Sequence, residues 1–198
     1  MIERSLAGTH EPGNDVPAPL RRAWPKTLVP AAVLVPLLER AEGLHVILTE
    51  RAAGLTRHAG QIAFPGGRID PGDAGPLDAA LREAEEEIGL PPGLVKPIGY
   101  LRTYVTVTGY AVVPVVGLIG SAFEMRLDPA EVSAAFDAPL DHLLDPNRHF
   151  RFTHRVRGID VTVDEILYGE RRIWGATAAM LVDFSRRVIV MERRSGPD

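Results

Sequence analysis

Glu83, Glu86 and Glu87 stand at i, i+3 and i+4 within residues 64–90, FPGGRIDPGDAGPLDAALREAEEEIGL. At about 100° per residue a helix gathers all three into an arc of about 100°. Like charges so spaced repel and weaken a bare helix. A divalent cation reverses that penalty, and oxygen-only ligands suit magnesium or manganese better than zinc. The same spacing also describes a solvated acidic face with Arg82 as its salt-bridge partner. Gly66 and Gly67, just upstream, favour the ligand reading, because glycine lets backbone approach a bound molecule closely.

The helix carrying these acids is well bounded. Pro76 suits a first helical position, and Gly89 followed by Pro91 and Pro92 is a stop signal. Leu77, Ala80, Leu81, Ala84 and Ile88 recur at helical spacing and form an apolar face beside the acidic arc, with Glu85 apart. Upstream, 31–38 and 45–50 are short apolar runs joined through Glu42-Gly43, a hairpin of core strands. Downstream, 95–101 and 111–118 read as strands, and 103–110 joins them with an unusual density of hydroxyls and aromatics. Tyr104 or Tyr110 there would stack on a base or pack on an aliphatic ligand, or would serve as core-facing strand residues. Glu131 begins a turn and helix through 145. Residues 150–156 and 161–168 form a strand pair around Gly158, and a last helix opens at Ile173 and runs to about Arg187. Strands on both sides of a central helix, closed by another helix, predict an α/β domain of the α+β kind.

With 198 residues the chain accommodates one domain with a full core. The expected divisions are an irregular Pro-rich arm over 1–30, a domain over 31–188, and a loose tail over 189–198. In the arm, Arg21, Arg22 and Lys26 flank Trp24; they would reach a phosphate or simply be solvated around a packed Trp24. A net charge of −4 argues against general nucleic-acid binding, and the absence of cysteine excludes disulfides, thiolate metal sites and a cysteine nucleophile. No apolar run approaches a membrane span, and the N-terminal residues show no apolar signal core, so the expected location is the cytoplasm. The expected partner is a small molecule, with no nucleic acid and no membrane, and the chain a monomer or homodimer.

Arg82-Glu83-Ala84-Glu85-Glu86-Glu87-Ile88-Gly89-Leu90, with Gly67 upstream, resembles the box of the Nudix hydrolases. Asp73 stands where that box has a glutamate, and eight residues instead of seven separate it from Arg82. This expansion resembles the coenzyme A pyrophosphatase branch. So does Leu48-Thr49-x-Arg51-Ala52 followed by His58-x-Gly60-Gln61-Ile62-Ala63-Phe64-Pro65-Gly66-Gly67. The resemblance implies a Nudix fold, a mixed β-sheet sandwiched between α-helices, which the element order fits, and magnesium-dependent hydrolysis, manganese being an alternative. The substrate would be coenzyme A or acyl-coenzyme A, cut to 3′,5′-ADP and (acyl-)4′-phosphopantetheine. Glu83, Glu86, Glu87 and the Gly67 carbonyl would hold metal, with Arg82 positioning the carboxylates. Arg51 and Arg57 would bind substrate beside Gly66, Gly67 and Tyr104; His58 would donate a proton or hold its own turn. Glu131 would position the attacking water, or serve only as a helix-start acid. Asp73 leaves the first half of the box uncertain as a ligand source. Other readings are a hydrolase of ADP-ribose, a dinucleotide cofactor or a dinucleoside polyphosphate, and a nucleotide sensor without turnover.

Overall fold

In a computed structural model of the chain the described residues are 18–22, 24, 26–54, 58–120 and 123–194, with side chains described to 189. A twelve-residue strand, β1 (Val29–Arg40), is the spine. It runs parallel to β7 (Tyr110–Ile119) through ten residue pairs from Val29↔Tyr110 to Leu38↔Ile119. Its other edge is shared: β2 (Gly43–Arg51) pairs with 37–40, and β4 (Gly66–Arg68) pairs with 31–33, both antiparallel. The expected hairpin is therefore present, but only its turn end is paired. The remainder of that edge is left to the glycine segment, which is a short strand and not a free loop.

The sheet continues as β3 (Ile62–Ala63) and β8 (Val132–Pro139) on β2, and as β5 (Val95–Tyr100) and β6 (Tyr104–Val105) on β7. Both faces of β1 are buried, which explains its nearly unbroken apolar sequence. One face packs Ala32, Leu34 and Leu38 against Ala80, Ala84 and Ile88 of a helix, Pro76–Ile88. The other packs Ala31, Val35 and Leu37 towards a second helical layer. In chain order the helices are α1 (Ala18–Arg21), α2 (Pro76–Ile88), α3 (Leu140–Leu144) and α4 (Ala176–Arg194). Leu140 and Leu143 of α3 and Leu181 and Phe184 of α4 fill the second layer. The architecture is the mixed sheet between helices that the resemblance implies and the chain order fits.

A separate antiparallel sheet, β9 (His149–Val156), β10 (Ile159–Tyr168) and β11 (Arg171–Trp174), buries Ile166 and Ile173 in the same layer. At its other end Val161 packs with Leu20 of α1 and with Trp24, so the N-terminal arm is pinned there by apolar contact. Arg21 and Arg22 are exposed.

Three expectations are corrected. Residues 132–139 are strand, with helix confined to 140–144, because the open edge of β2 offers β8 a backbone ladder from His45 to Arg51. Tertiary pairing here overrides the helical propensity of an alanine-rich segment. Ile173 and Trp174 lie in β11, pairing with Ile166 and Glu165 of β10, and Gly175 (φ 70°) makes the turn into α4. That helix runs to Arg194, beyond Arg187, so 189–194 is helix end and not loose tail.

Candidate active site

α2 starts at Pro76 and is closed by Gly89, whose left-handed φ of 69° lets its N–H reach the last-turn carbonyls. Within it the acids separate by environment. Glu87 is only 3% exposed and Glu83 is 15% exposed at the side chain, while Glu86 is 58% exposed. The buried stripe includes Ala79 and Glu87, whereas Leu77 and Leu81 are only half-buried. The helix is thus rolled so that two of its carboxylates face the sheet, and the third stays at the solvent edge.

Gly67 explains how Glu83 fits. Paired with Ala32 on β1, it turns its side-chain position towards α2, where a methyl group would overlap the Glu83 carboxylate. Gly66 (φ 153°) lies so close to β1 that a side chain would run into the Val33 backbone. Glycine is required at both positions, for different reasons.

Arg82 collects the surrounding acids. Its Nε and Nη2 donate to the two Asp73 oxygens at 3.0 and 3.1 Å, and its Nη1 lies 3.0 Å from Glu83 Oε1 and 3.1 Å from Glu86 Oε2. Nη2 also donates to the Arg68 carbonyl at 3.1 Å, which ties the helix to β4. Asp73 is 5% exposed at the side chain. The Arg82 fork, aided by the Asp70 N–H at 2.7 Å, holds its carboxyl below the usual carboxylate range. Asp73 is therefore engaged as the partner of Arg82, not free as a metal ligand.

Glu87 is in the opposite condition. Burial pushes its carboxyl up to about 8; Arg51 opposes this, and Glu131 and Glu83 add to it. Arg51 Nη1 is 3.9 Å from Oε1, and Oε2 is buried without a hydrogen-bond partner. Glu83 is also raised, by burial first and then by Glu86 and Glu131, against the pull of Arg82. Among the described residues no three acidic or imidazole groups form a ready-made metal cluster. The donor set nonetheless fits a hard cation: a desolvated carboxylate with an orphaned oxygen, a second raised acid beside it, and glycine backbone between them.

Other predicted residues converge on the same place. The ladder register shifts between Glu50 and Arg51, and a bulge of this kind re-aims the side chain that follows, here Arg51 towards Glu87. Glu131 enters from the turn before β8, its carbonyl accepting from the Ala52 N–H at 2.8 Å, and it acts electrostatically on both Glu83 and Glu87. It is not a helix-start acid, since a strand follows it. His58 bonds to Gln61 Oε1 at 2.7 Å across the Gly60 turn, with its ring facing the cleft. Arg57 lies outside the described residues. Tyr104 lines the same cleft, with its phenol pushed up to about 12 by burial and then by Asp164.

The cleft measures ≈ 1560 Å³ and runs from Glu83, Gly67 and Arg51 past Tyr104 to β9, β10 and α4. Thr177 Oγ1 donates to the Ile62 carbonyl at 3.1 Å, fixing the start of α4 against β3. Sequence reading missed this C-terminal wall, because nothing local marks 154–187 as adjacent to residues 51–67. It also missed Arg68. The available signal was its position next to Gly67 on an extended segment, which sends its side chain to the opposite face.

A box helix presenting buried acids beside a glycine strand, on a mixed sheet between helices, is the arrangement of a hydrolase acting on pyrophosphate bonds. The model of the NUDIX domain matches residues 28–176, and the chain belongs to the Nudix hydrolase family. It is 42% identical over 159 residues to NudL of Escherichia coli K12, described as an uncharacterized Nudix hydrolase, covering 80% of this chain and 82% of that protein. Solved structures with the same fold include a MutT protein of Methanosarcina mazei Go1 (TM-score 0.52, 18% identity, 85% of this chain and 97% of that one). Another is the Nudix hydrolase RenU of M. smegmatis (0.51, 17%, 87% and 90%). Among the described residues no helix is long and apolar enough to cross a membrane.

Proposed function

We propose that the chain is a magnesium-dependent diphosphatase of coenzyme A or acyl-coenzyme A, releasing 3′,5′-ADP and (acyl-)4′-phosphopantetheine, with manganese able to replace magnesium. The observation that carries this reading is where the upstream signature lies. Arg51, His58, Gln61, Phe64, Gly66 and Gly67 all line the one cleft that holds Glu83. The cleft-lining position of the segment that resembles the coenzyme A branch supports a ligand-binding role for it. The cleft volume also exceeds the ~300–1,000 Å³ usual for small-molecule sites, as a long, bent substrate requires.

In this reading Glu83 and Glu87 hold the cation from the buried side, with the Gly67 carbonyl, and Glu86 completes the set from the exposed edge. When bound, the cation neutralises phosphoryl charge and acidifies the attacking water. The protein groups do the rest. Arg82 keeps Glu83 and Glu86 oriented while Asp73 holds Arg82. Arg51 and Arg57 bind the anionic substrate, Tyr104 lies against its adenine or pantetheine, and Glu131 orients the water. Water adds to one phosphorus, and the bridging oxygen departs with the other phosphate.

The test is a product assay with magnesium on coenzyme A, acetyl-coenzyme A, ADP-ribose, NADH and diadenosine tetraphosphate, with Glu87→Gln as the control. Fastest release of 3′,5′-ADP from the coenzyme A compounds is expected. Preference for another diphosphate would keep the chemistry and sink the substrate. No cleavage of any compound would leave a nucleotide sensor.

A further inference from the structure

Strand β4 separates two chemistries. Gly67 turns its side-chain position to the acids of α2, so Arg68, the next residue, projects to the other face and lines the cleft. Its Nη2 donates to Tyr110 Oη at 3.0 Å, and its guanidinium carbon lies 5.7 Å from the centre of the Tyr110 ring. Tyr110 is itself set by a closed turn. Its N–H donates to Thr106 Oγ1 at 3.0 Å, its carbonyl accepts from the Thr106 N–H at 2.9 Å, and the Thr106 and Thr108 hydroxyls are 2.9 Å apart.

The arginines near the acids are differently engaged. Arg82 commits its donors to Asp73, Glu83 and Glu86. Arg68 is bonded to a phenol hydroxyl, and Asp70 adds a weaker attraction. A phenol oxygen occupies one of the five guanidinium N–H donors. The result is an exposed cation with further donors that no side chain among the described residues takes up, one residue from Gly67, in a cleft that also holds Glu83 and Glu131.

We propose that Arg68 grips a phosphate of the bound diphosphate, and that Tyr110 is the positioning residue that aims it. This rests on the reading of the cleft as a diphosphate site, not on coenzyme A as the substrate. The planar fork matches two phosphate oxygens, and the Tyr110 hydroxyl holds its inner edge so that the outer edge faces the ligand. The charge also fits the chemistry. A diphosphate brought up to Glu83, Glu87 and Glu131 meets repulsion that a fixed cation on its other side offsets.

Calorimetric titration with adenosine 5′-diphosphate and with adenosine, both in chelator, tests this without turnover. Arg68→Ala is expected to weaken ADP by about ten-fold or more and to leave adenosine unchanged, since only the charge-assisted phosphate contact is lost. Tyr110→Phe is expected to weaken ADP by about three- to ten-fold with adenosine again unchanged, because the fork remains but loses its aim. Arg68→Lys should not restore wild-type affinity, a lysine being a point charge without paired donors. Unchanged ADP affinity in Arg68→Ala, a parallel loss of adenosine, or no ADP binding by the wild type would each overturn the assignment. Unchanged binding in Tyr110→Phe would overturn the role of Tyr110. Failure of the wild type to cut coenzyme A sinks the proposed substrate and leaves the ADP comparison standing.

Discussion

Arg82 and Asp73, nine residues apart, are joined by two parallel hydrogen bonds of 3.0 and 3.1 Å. Asp73 lies in the connection from β4 to α2 and Arg82 on the helix itself, so this pair holds the connection against α2, and the Arg82 bond to the Arg68 carbonyl ties in the glycine strand. The same guanidinium also contacts Glu83 and Glu86, and Asp73 therefore acts on the acids through Arg82.

Asp73→Asn should weaken divalent metal binding and turnover by about 10–100-fold, as loss of a partner behind a ligand shell commonly does. An amide cannot accept both guanidinium donors, so Arg82 is released to neutralise Glu83. Manganese titration of the variant, read beside its rate, checks this. Unaltered metal affinity would show that the pair is only a structural staple.

Gly67→Ala should lower kcat by about 100-fold, the cost of a misplacement on the order of 1 Å. The added methyl meets the end of a flexible glutamate and not backbone, so Glu83 swings away while the strand stays paired. A near-normal melting temperature combined with a collapsed rate is the expected outcome. A normal rate would remove Glu83 from the chemistry.

Glu87 makes stability depend on pH in a defined direction when metal is chelated. Its carboxyl is raised to about 8 in the folded chain and lies near 4.3 unfolded, so the folded state binds the extra proton. Its contribution is complete below the unfolded value and is lost as pH rises towards 8. In chelator, Glu87→Gln should melt higher than wild type at pH 8 and close to it at pH 4, with the gap opening in between. In magnesium the same variant should lose turnover by orders of magnitude. A constant gap across that pH range would show that Glu87 is not the titrating group.

Arg57→Ala should raise KM for coenzyme A more than for its 3′-dephospho analogue, if Arg57 reads the 3′-phosphate. Steady-state kinetics on the two compounds decide it, and an equal rise would remove that role.

The local features of this protein were legible in its sequence. Pro76, Gly89 and the apolar spacing between them defined α2 to the residue, and the same periodicity placed Glu83, Glu86 and Glu87 in one arc, without showing that Glu86 would stay in solvent. Short-range geometry is enough there, because a helix repeats the same backbone bonds from residue to residue. The apolar runs of β1, β2 and β7 were legible for a similar reason, since burial demands apolar side chains.

The tertiary structure decided what depends on partners distant in sequence. Residues 132–139 became strand because β2 had an open edge. Glu86 and Glu87, adjacent in the chain, differ because α2 rolls one against the sheet and leaves the other in water, and desolvation then raises Glu87. Asp73 became the anchor of Arg82 only once the turn closed. Arg68 acquired its Tyr110 partner only when β7 was laid along β1. Each of these is set by where water is excluded and which group lies opposite, and neither quantity is local to the sequence.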